Sequence, residues 1–345
     1  MDLNPIMKNS NKLYLTKSLV ILFACLLTSC ANSPLSKVET KIVGNSVTFL
    51  LSDISMQSYD SLKIFNNGIL FYNDILKEQV TINNILTHGV NEITLISKDT
   101  IYSTKFKHNL FYTFDILYTL NHDNLHFTQG LVIEDNYLYE STGLLKKSAI
   151  YKYKLENSTK KLELIDSVAN PSNEFGEGIT IVGKYIYQLT WQNRLINILA
   201  KDKLKFLKKL YLEGEGWGVT KDRELLVVSD GTNNIKIIDA KSFSIIDNIY
   251  VVDDNISILG LNELELVDDY LLANIWQTNK IVVIDYLKKC VIGYIDLTPI
   301  VNREVEINKN IDVLNGIAYD KANKQFYITG KNWSNIYVLD IHFKL

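Results

Sequence analysis

Residues 178–190 read GITIVGKYIYQLT, which is a strand, a tight polar turn and a second strand. Four other segments align with this one at spacings of 40 to 53 residues, and they begin at Gly130, Gly218, Glu263 and Gly316. A second hairpin follows each segment, for example AIYKYKLENSTKKLELIDSV at residues 149–168. Two hairpins per repeat of about 40–50 residues are typical of a four-stranded propeller blade. The repeats therefore predict an all-β fold, with a five-bladed β-propeller over residues 113–345.

The pattern before the repeats is different. Short runs with period-two hydrophobicity fill residues 41–107, and turn signals such as Asn66-Asn67-Gly68 separate them. Short strands without helical periodicity predict a small immunoglobulin-like β-sandwich domain over residues 41–112. This segment carries no cluster of His, Cys or carboxylate residues. It favours a spacer or a partner-binding module.

The first thirty residues are typical of an export signal. Lys8, Lys12 and Lys17 precede an apolar run over residues 18–27, which is shorter than the roughly twenty residues of a membrane span. The run ends in Leu27-Thr28-Ser29-Cys30, which resembles the lipobox of bacterial lipoproteins. We predict a signal peptide over residues 1–29, a lipidated Cys30 and a tether over residues 30–40. The protein would be exported and lipid-anchored to the bacterial cell envelope; an uncleaved anchor or a plain secretory signal is the alternative.

Composition excludes several classes of protein. The formal net charge is −3, without the basic domain or stripe of a nucleic-acid binder, so we expect no nucleic-acid partner. An aromatic content of 11%, with 20 Tyr, excludes an intrinsically disordered chain. After cleavage Cys290 would be the one thiol that is not lipidated, so the fold must rely on its core rather than on disulfides. We expect a monomer.

The repeats differ from one another at positions that a propeller would bring to one mouth of its channel. These positions lie directly before the first residue of each repeat and about thirteen residues after it: Gln129, Glu177, Trp217, Asn262 and Asn315 before, and Gly143, Trp191, Gly231, Trp276 and Lys331 after. One carboxylate, one ammonium, several amides and three indoles on one rim predict a ligand pocket. A structural role stays open for single members, since a Trp can fill a propeller core and Glu177 can pair with Lys331 for stability alone.

Several motifs carry a family resemblance, and they occur in order through all five repeats: Phe127-Thr128-Gln129-Gly130, Phe175-Gly176-Glu177-Gly178, Glu215-Gly216-Trp217-Gly218, Leu261-Asn262-Glu263-Leu264-Glu265, and Leu314-Asn315-Gly316 with Thr329-Gly330-Lys331. Together they resemble the metal-free glutaminyl-peptide cyclotransferases of plants and bacteria. The resemblance implies a five-bladed propeller, no metal or other cofactor, and peptides or proteins with an N-terminal Gln as substrates. One departure is His122-Asp123-Asn124-Leu125-His126, where the family tends to have His-Asp-Pro followed by a small residue.

The resemblance also implies roles for single residues. In the family reaction the α-amine of an N-terminal Gln attacks its own γ-amide carbon, which gives 5-oxoproline and ammonia. An α-amine of pKa ~7.7–8.0 is mostly protonated at neutral pH, so a general acid/base is needed. We assign this role to Glu177, and the γ-carbonyl oxygen to Lys331 and Asn262. The predicted substrate-binding residues are Phe127, Gln129, Trp191, Trp217, Trp276, Glu263 and Asn315.

Two other classes of function remain open. A non-catalytic envelope lipoprotein that binds peptides or scaffolds a complex would be expected to lack Glu177 or Lys331, and both are present. A metal-dependent propeller hydrolase or lactonase would place carboxylates from several blades at the axis, where this chain offers amides and Trp. His122 and His126 have a metal-like spacing, but no third ligand stands near them in the sequence, so we expect no metal site.

Overall fold

The computed structural model describes residues 38–43, 45–51, 61–75, 77–97, 100–156 and 159–343; the predicted signal peptide and Cys30 lie outside the described residues. The chain divides into two compact units, one up to Ile85 with Thr94–Ser103 and the other of Leu86–Ile93 with the residues from Thr104 onward. Within the described ranges the fold is all-β, apart from one helix, α1 (Thr298–Ile307). No helix in the described part of the chain is long and apolar enough to span a membrane.

The strands before residue 110 are short. They are β1 (Glu39–Val43), β2 (Ser46–Leu50), β3 (Ser61–Asn66), β4 (Ile69–Ile75), β5 (Gln79–Ile82), β6 (Gly89–Ser97) and β7 (Thr100–His108). They pair in two sheets, in the orders β1–β2–β5 and β4–β3–β6–β7. Alternate residues along β3 are buried and exposed, which is the period-two pattern of a strand with one face on a core. Leu62 and Ile64 on that buried face are fully inaccessible to solvent.

The remaining described strands form five sets of four and one separate pair, Val252–Asp253 with Ile256–Ser257. They are β8 (Phe111–Asn121), β9 (Thr128–Glu134), β10 (Tyr137–Thr142), β11 (Ala149–Glu156), β12 (Lys161–Ala169), β13 (Gly176–Val182), β14 (Tyr185–Thr190), β15 (Leu195–Ala200), β16 (Lys205–Tyr211), β17 (Val219–Asp222), β18 (Leu225–Ser229), β19 (Asn234–Asp239), β20 (Ile245–Tyr250), β21 (Val252–Asp253), β22 (Ile256–Ser257), β23 (Leu261–Val267), β24 (Tyr270–Ile275), β25 (Lys280–Asp285), β26 (Cys290–Asp296), β27 (Leu314–Asp320), β28 (Gln325–Gly330) and β29 (Asn335–His342). Successive strands pair in the sets β9–β12, β13–β16, β17–β20 and β23–β26. The five repeats seen in the sequence are the hairpins β9–β10, β13–β14, β17–β18, β23–β24 and β27–β28.

The last set is completed by a strand from earlier in the chain. β27, β28 and β29 are joined by β8, which pairs antiparallel with β29 from Asn335↔Asn121 to His342↔Thr113. A short parallel bridge, Tyr294↔Phe111 and Ile295↔Tyr112, also connects β26 to β8. Strand β8 begins at Phe111, just before the predicted start of the propeller at residue 113. Residues from the two ends of this unit therefore share one set of strands.

The first strands of the five sets lie side by side in a closed cycle. β9, β13, β17, β23 and β27 each contact the next, and β27 contacts β9. The glycines at the repeat anchors permit this approach: a Cβ on Gly130 would lie 2.7 Å from the Ile179 backbone nitrogen, and one on Gly218 would lie 2.1 Å from the Asn262 carbonyl oxygen. A side chain at either position would separate neighbouring strands, which explains why glycine recurs there.

Candidate active site

One backbone hydrogen bond recurs at the same end of four of the five strand sets. The residue that follows the second strand donates its N–H to the residue three positions before the repeat anchor: Gly143 to Phe127 (2.8 Å), Trp191 to Phe175 (3.1 Å), Trp276 to Gly260 (2.8 Å) and Lys331 to Val313 (3.0 Å). The start of the first strand and the end of the second are thereby fixed beside each other. The rim positions derived from the repeats thus lie at equivalent strand ends.

The two charged residues predicted for the site are both buried, since Glu177 and Lys331 are each 5% exposed. Burial raises the pKa of Glu177 well above its ordinary value; the charge of Lys331 opposes this rise and the charge of Glu215 adds to it. Burial also lowers the pKa of Lys331, whereas the negative charges of Glu177 and Asp312 act to raise it. A carboxyl with a raised pKa can both hold and release a proton near neutral pH, as a general acid/base must.

Aromatic rings link several of the predicted residues. The ring centroids of Phe127 and Phe175 lie 6.2 Å apart, and those of Phe175 and Trp191 lie 5.6 Å apart, both in edge-to-face geometry. The Lys331 ammonium lies 4.7 Å from the centre of the Phe127 ring, within reach of a cation–π interaction. These contacts connect Lys331 to Trp191 through an unbroken row of rings.

The remaining indoles join this row through a carboxylate that the sequence analysis did not assign. The Oε2 atom of Glu215 accepts hydrogen bonds from the indole N–H of Trp191 (2.9 Å) and from that of Trp217 (3.1 Å). The Trp217 ring in turn meets the Trp276 ring edge-to-face at 5.7 Å. The three indoles predicted to wall the site therefore belong to one contact network, in which Trp276 is the most exposed at 42%.

Three amide side chains of the predicted site are buried. The Nδ2 atom of Asn315 donates to Gln129 Oε1 at 3.3 Å and to the Thr128 carbonyl oxygen at 3.1 Å. Among the described residues, the Oδ1 atoms of Asn262 and Asn315 are buried and have no hydrogen-bond partner in the protein. Buried polar atoms are normally paired. These two amides therefore retain hydrogen-bonding capacity that a ligand could use.

Glu263 occupies a different environment from the other predicted binding residues. It is fully buried, and its two carboxylate oxygens accept the backbone N–H groups of Leu131 (3.3 Å) and Ile317 (2.8 Å). Burial raises its pKa well above the ordinary value, Glu265 adds to the rise, and these two hydrogen bonds oppose it. Glu263 thus ties strands β9 and β27 to β23, and its role in substrate binding stays a prediction.

Two residues of the network, Phe175 and Glu215, were not assigned from the sequence. The signal was nevertheless present: both stand three residues before a repeat anchor, in the same register as Phe127. The predicted rim positions were the residue directly before each anchor and the residue about thirteen positions after it. A comparison of the residues three positions before each anchor would have found Phe175 and Glu215.

The expectation that His122 and His126 lack a third partner is wrong. Strand β10 places the buried Glu140 between them, with His122 Nε2 at 3.0 Å from Oε1 and His126 Nδ1 at 2.8 Å from Oε2. The Thr128 hydroxyl also donates to Oε1, at 2.7 Å. The sequence could not show this contact because it depends on how the loop before β9 folds over β10.

Hydrogen bonds define the charge state of this cluster. Nδ1 of His122 lies 2.8 Å from the Trp333 carbonyl oxygen, so both ring nitrogens of His122 face acceptors and the ring must donate twice, as the cation does. Although burial opposes it, the charge and hydrogen bond of Glu140 raise the pKa of His122. Burial likewise opposes the charged form of Glu140, but the two histidines hold its pKa far below the usual range. The cluster is therefore a buried ion pair that anchors the loop carrying Phe127, which leads into β9.

A cavity elsewhere on this unit holds none of the predicted site residues. Its volume is about 310 Å³, and it is lined by Phe111, Tyr112, Thr113, Phe114 and Asp296. Its lining includes one carboxylate, that of Asp296, and one phenol, that of Tyr112, whose pKa burial raises to about 12. Cavity volume is therefore a poorer guide to the candidate active site than the grouping of Glu177, Lys331 and the indoles.

The matches to known proteins cover the part of the chain that contains the candidate site. A family model described as glutamine cyclotransferase matches residues 85–341. A glutaminyl-peptide cyclotransferase of Arabidopsis thaliana is 32% identical over 262 residues, which cover 74% of this chain and 73% of the relative. The crystal structure of Myxococcus xanthus glutaminyl cyclase superposes with a TM-score of 0.62 at 26% identity, over 68% of this chain and 98% of that one. On these matches, the chain belongs to the glutamine cyclotransferase family.

Proposed function

We propose that this protein is a glutaminyl-peptide cyclotransferase, which converts the N-terminal Gln of peptides or proteins to 5-oxoproline with release of ammonia. The observation that carries the proposal is the buried Glu177 carboxyl, whose pKa is raised by burial against the opposing charge of the buried Lys331. Family membership supports the same activity. The enzyme is an acyltransferase that acts within one substrate molecule.

The chemistry needs one proton to move between two nitrogen atoms. The α-ammonium first releases one proton to solvent. The neutral amine then passes a second proton to Glu177 as it attacks the γ-amide carbon, which forms the ring C–N bond and a tetrahedral intermediate. Glu177 then returns the proton to the former amide nitrogen, the C–N bond to that nitrogen breaks, and ammonia leaves. Such a positioned acid/base typically contributes about 10²–10⁴ to the rate. No step requires a metal ion or a cofactor.

The other residues of the network would bind the substrate and stabilise the charge that develops during the reaction. Lys331 and Asn262 would interact with the γ-carbonyl oxygen as negative charge develops on it, which is the interaction an oxyanion hole supplies. Among the described residues, the buried amide oxygen of Asn262 has no hydrogen-bond partner, so the protein does not hold this side chain through that atom. Trp191, Trp217 and Trp276 would form walls that hold the substrate in a ring-closing pose, with Phe127, Gln129 and Asn315 beside them.

Ammonia release from a Gln-initiated peptide tests the function directly. The purified protein should release one ammonia per peptide, and the product should have lost the mass of one ammonia and no longer react as a free amine. A peptide that begins with Asn is the matched control, since its shorter side chain cannot close the same ring. Binding of the Gln peptide without any ammonia release would contradict the proposal and favour the non-catalytic peptide-binding alternative.

We also propose that the five strand sets are blades of a five-bladed β-propeller, and that the strands before residue 110 belong to an immunoglobulin-like domain. The closed cycle of first strands supports the propeller, and the completion of the last set by β8 is a usual way to close one. The two small N-terminal sheets support the second assignment.

Activity should survive strong chelators. The proposed steps use only protein groups, and in the His122–Glu140–His126 cluster, the one candidate metal cluster in the described part of the chain, the ligand atoms already hydrogen-bond to one another. Ammonia release measured before and after treatment with excess EDTA should agree. Complete loss that added metal restores would contradict metal independence, and measurement with added metal alone controls for inhibition.

We further propose that the protein is a monomeric lipoprotein of the bacterial cell envelope, anchored through Cys30. The lipobox-like Leu27-Thr28-Ser29-Cys30 and the apolar run before it support this. Cys30→Ala should move the protein from the membrane fraction to the soluble fraction while it still releases ammonia. Cys290→Ala is the matched control, because Cys290 is an exposed thiol elsewhere in the chain and should leave partitioning unchanged. A Cys30→Ala protein that stays with salt-washed membranes would exclude Cys30 as the anchor.

A further inference from the structure

Glu215 occupies a position where two other repeats carry a phenylalanine. Phe127, Phe175 and Glu215 each stand three residues before a repeat anchor. The phenylalanines contact each other and Trp191 through their rings, as expected for members of an apolar wall. A carboxylate in the same register is therefore a departure from the repeat that apolar packing does not explain.

The contacts of Glu215 are specific. A single oxygen, Oε2, accepts both indole N–H groups, from Trp191 at 2.9 Å and from Trp217 at 3.1 Å. The two indoles come from different strand sets, because Trp191 follows β14 and Trp217 precedes β17. An indole N–H has only one hydrogen to donate, and a charged acceptor binds it more strongly than a neutral one does. One carboxylate thus fixes the orientation of two rings, and in the described part of the chain it is the hydrogen-bond acceptor of both indole N–H groups.

The loop that carries Glu215 is itself held in place. Lys236 donates to the Glu213 carbonyl oxygen at 2.9 Å and pairs with Asp230 at 3.1 Å. On the far side, the N–H of Trp217 donates to the Ser229 carbonyl oxygen at 2.9 Å. A Cβ on Gly231 would lie 2.7 Å from the Trp217 ring, so the indole packs directly on that backbone. Contacts on both sides of Glu215 therefore hold its backbone in place.

Glu215 also acts on the proposed acid/base through its charge. Its carboxylate disfavours the ionised form of Glu177, whereas the Lys331 ammonium favours that form. The proposed substrate enters with a positively charged α-ammonium group. When all of these groups are ionised, Glu177 and Glu215 carry two negative charges and Lys331 carries one positive charge. The net charge that these three groups present to the ammonium is then negative.

We propose that Glu215 is a positioning residue for cyclisation, which orients Trp191 and Trp217 through one shared oxygen. The effect of its negative charge on Glu177 accompanies this role. The expected effects on cyclisation rest on the proposed function, whereas the orientation of the two indoles by Glu215 does not. We expect separate effects for the loss of the charge and for the loss of the hydrogen bonds.

Two substitutions separate these effects. Glu215→Gln retains a carbonyl oxygen that can accept both indole N–H groups but removes the charge, whereas Glu215→Leu removes both. Glu213→Gln is the matched control: it lies in the same loop, is exposed, and contributes only its backbone to the contacts described above. Each variant is measured by near-ultraviolet circular dichroism of the tryptophans, by melting, and by kcat and KM over a range of pH.

For Glu215→Gln we expect a wild-type tryptophan spectrum and a shift to lower pH of the kcat/KM limb that belongs to Glu177, because the charge that raised that pKa is gone. For Glu215→Leu we expect a changed tryptophan spectrum and a loss of about 10–100-fold in kcat/KM, the effect of removing hydrogen bonds to a charged group. Glu213→Gln should match the wild type in every measurement.

A wild-type tryptophan spectrum for folded Glu215→Leu would overturn the orienting role. An unshifted pH profile for active Glu215→Gln would overturn the electrostatic role. Failure of the proposed function looks different, since the wild type would then release no ammonia from a Gln-initiated peptide. The spectra of the three variants would still decide the orienting role in that case.

Discussion

Replacing Glu177 by glutamine is expected to lower the rate constant of cyclisation by about 10²–10⁴, with far less change in substrate binding. Glutamine keeps the size and much of the hydrogen-bonding capacity of the side chain but cannot transfer a proton near neutral pH. Single-turnover release of ammonia from a Gln-initiated peptide measures the rate constant directly. A variant that is folded and cyclises at close to the wild-type rate would contradict the assignment of Glu177.

The stability of the same variant separates catalysis from a structural ion pair. The folded-state pKa of Glu177 is raised, so its contribution to stability is fully present at low pH and is lost as pH rises through that value. Glu177→Gln should therefore melt at the wild-type temperature in acid and at or above it as pH rises. If Glu177 were only the ion-pair partner of Lys331, breaking the pair should cost roughly 3–5 kcal/mol and lower the melting temperature strongly.

Glu265→Gln is the matched control for this experiment. Glu265 is a partly buried carboxyl whose pKa is raised by burial to about 8, but it accepts hydrogen bonds from Tyr319 N–H and the Thr220 hydroxyl and belongs to no part of the proposed site. Its replacement should leave the rate constant of cyclisation close to the wild-type value. A similar rate loss in both variants would indicate a general effect of buried carboxyls rather than proton transfer by Glu177.

Replacing Lys331 by methionine should reduce kcat and kcat/KM together by about 10²–10³, since removal of one oxyanion-stabilising group typically costs ~2.7–4 kcal/mol in the transition state. Methionine is similar in length and keeps an apolar contact with the Phe127 ring, above which the ammonium lies at 4.7 Å. Because the charge of Lys331 lowers the pKa of Glu177, its loss should also move the Glu177 limb of the pH profile to higher pH.

Lys152→Met provides the comparison for Lys331→Met. The Lys152 ammonium lies 4.4 Å from the centre of the Tyr137 ring, so this change removes a similar cation–π contact outside the proposed site. It should leave kcat and KM unaffected. A rise in KM with unchanged kcat in Lys331→Met would mean that Lys331 binds the ground state only, and the oxyanion role would be wrong.

The repeat of hairpins was sufficient to predict the strand pairs around the site. Period-two hydrophobicity and polar turns indicate the strands, and Asp135 and Asp268 in such turns have the positive φ values that Asp tolerates there. The register of the repeats also placed Glu177, Lys331 and the indoles at equivalent strand ends. It did not separate Glu263, which the register puts beside them but whose carboxylate is occupied by backbone N–H groups.

The sequence by itself determined the all-β class, the hairpin repeat and the family, because these depend on local periodicity and on motifs that are contiguous in the chain. Only the tertiary structure decided which side chains meet across strand sets. Glu140 lies between His122 and His126 because the loop before β9 folds over β10. One oxygen of Glu215 joins Trp191 to Trp217, which come from neighbouring strand sets. The raised pKa of Glu177 likewise arises from burial, which is a property of the assembled fold and not of the local sequence.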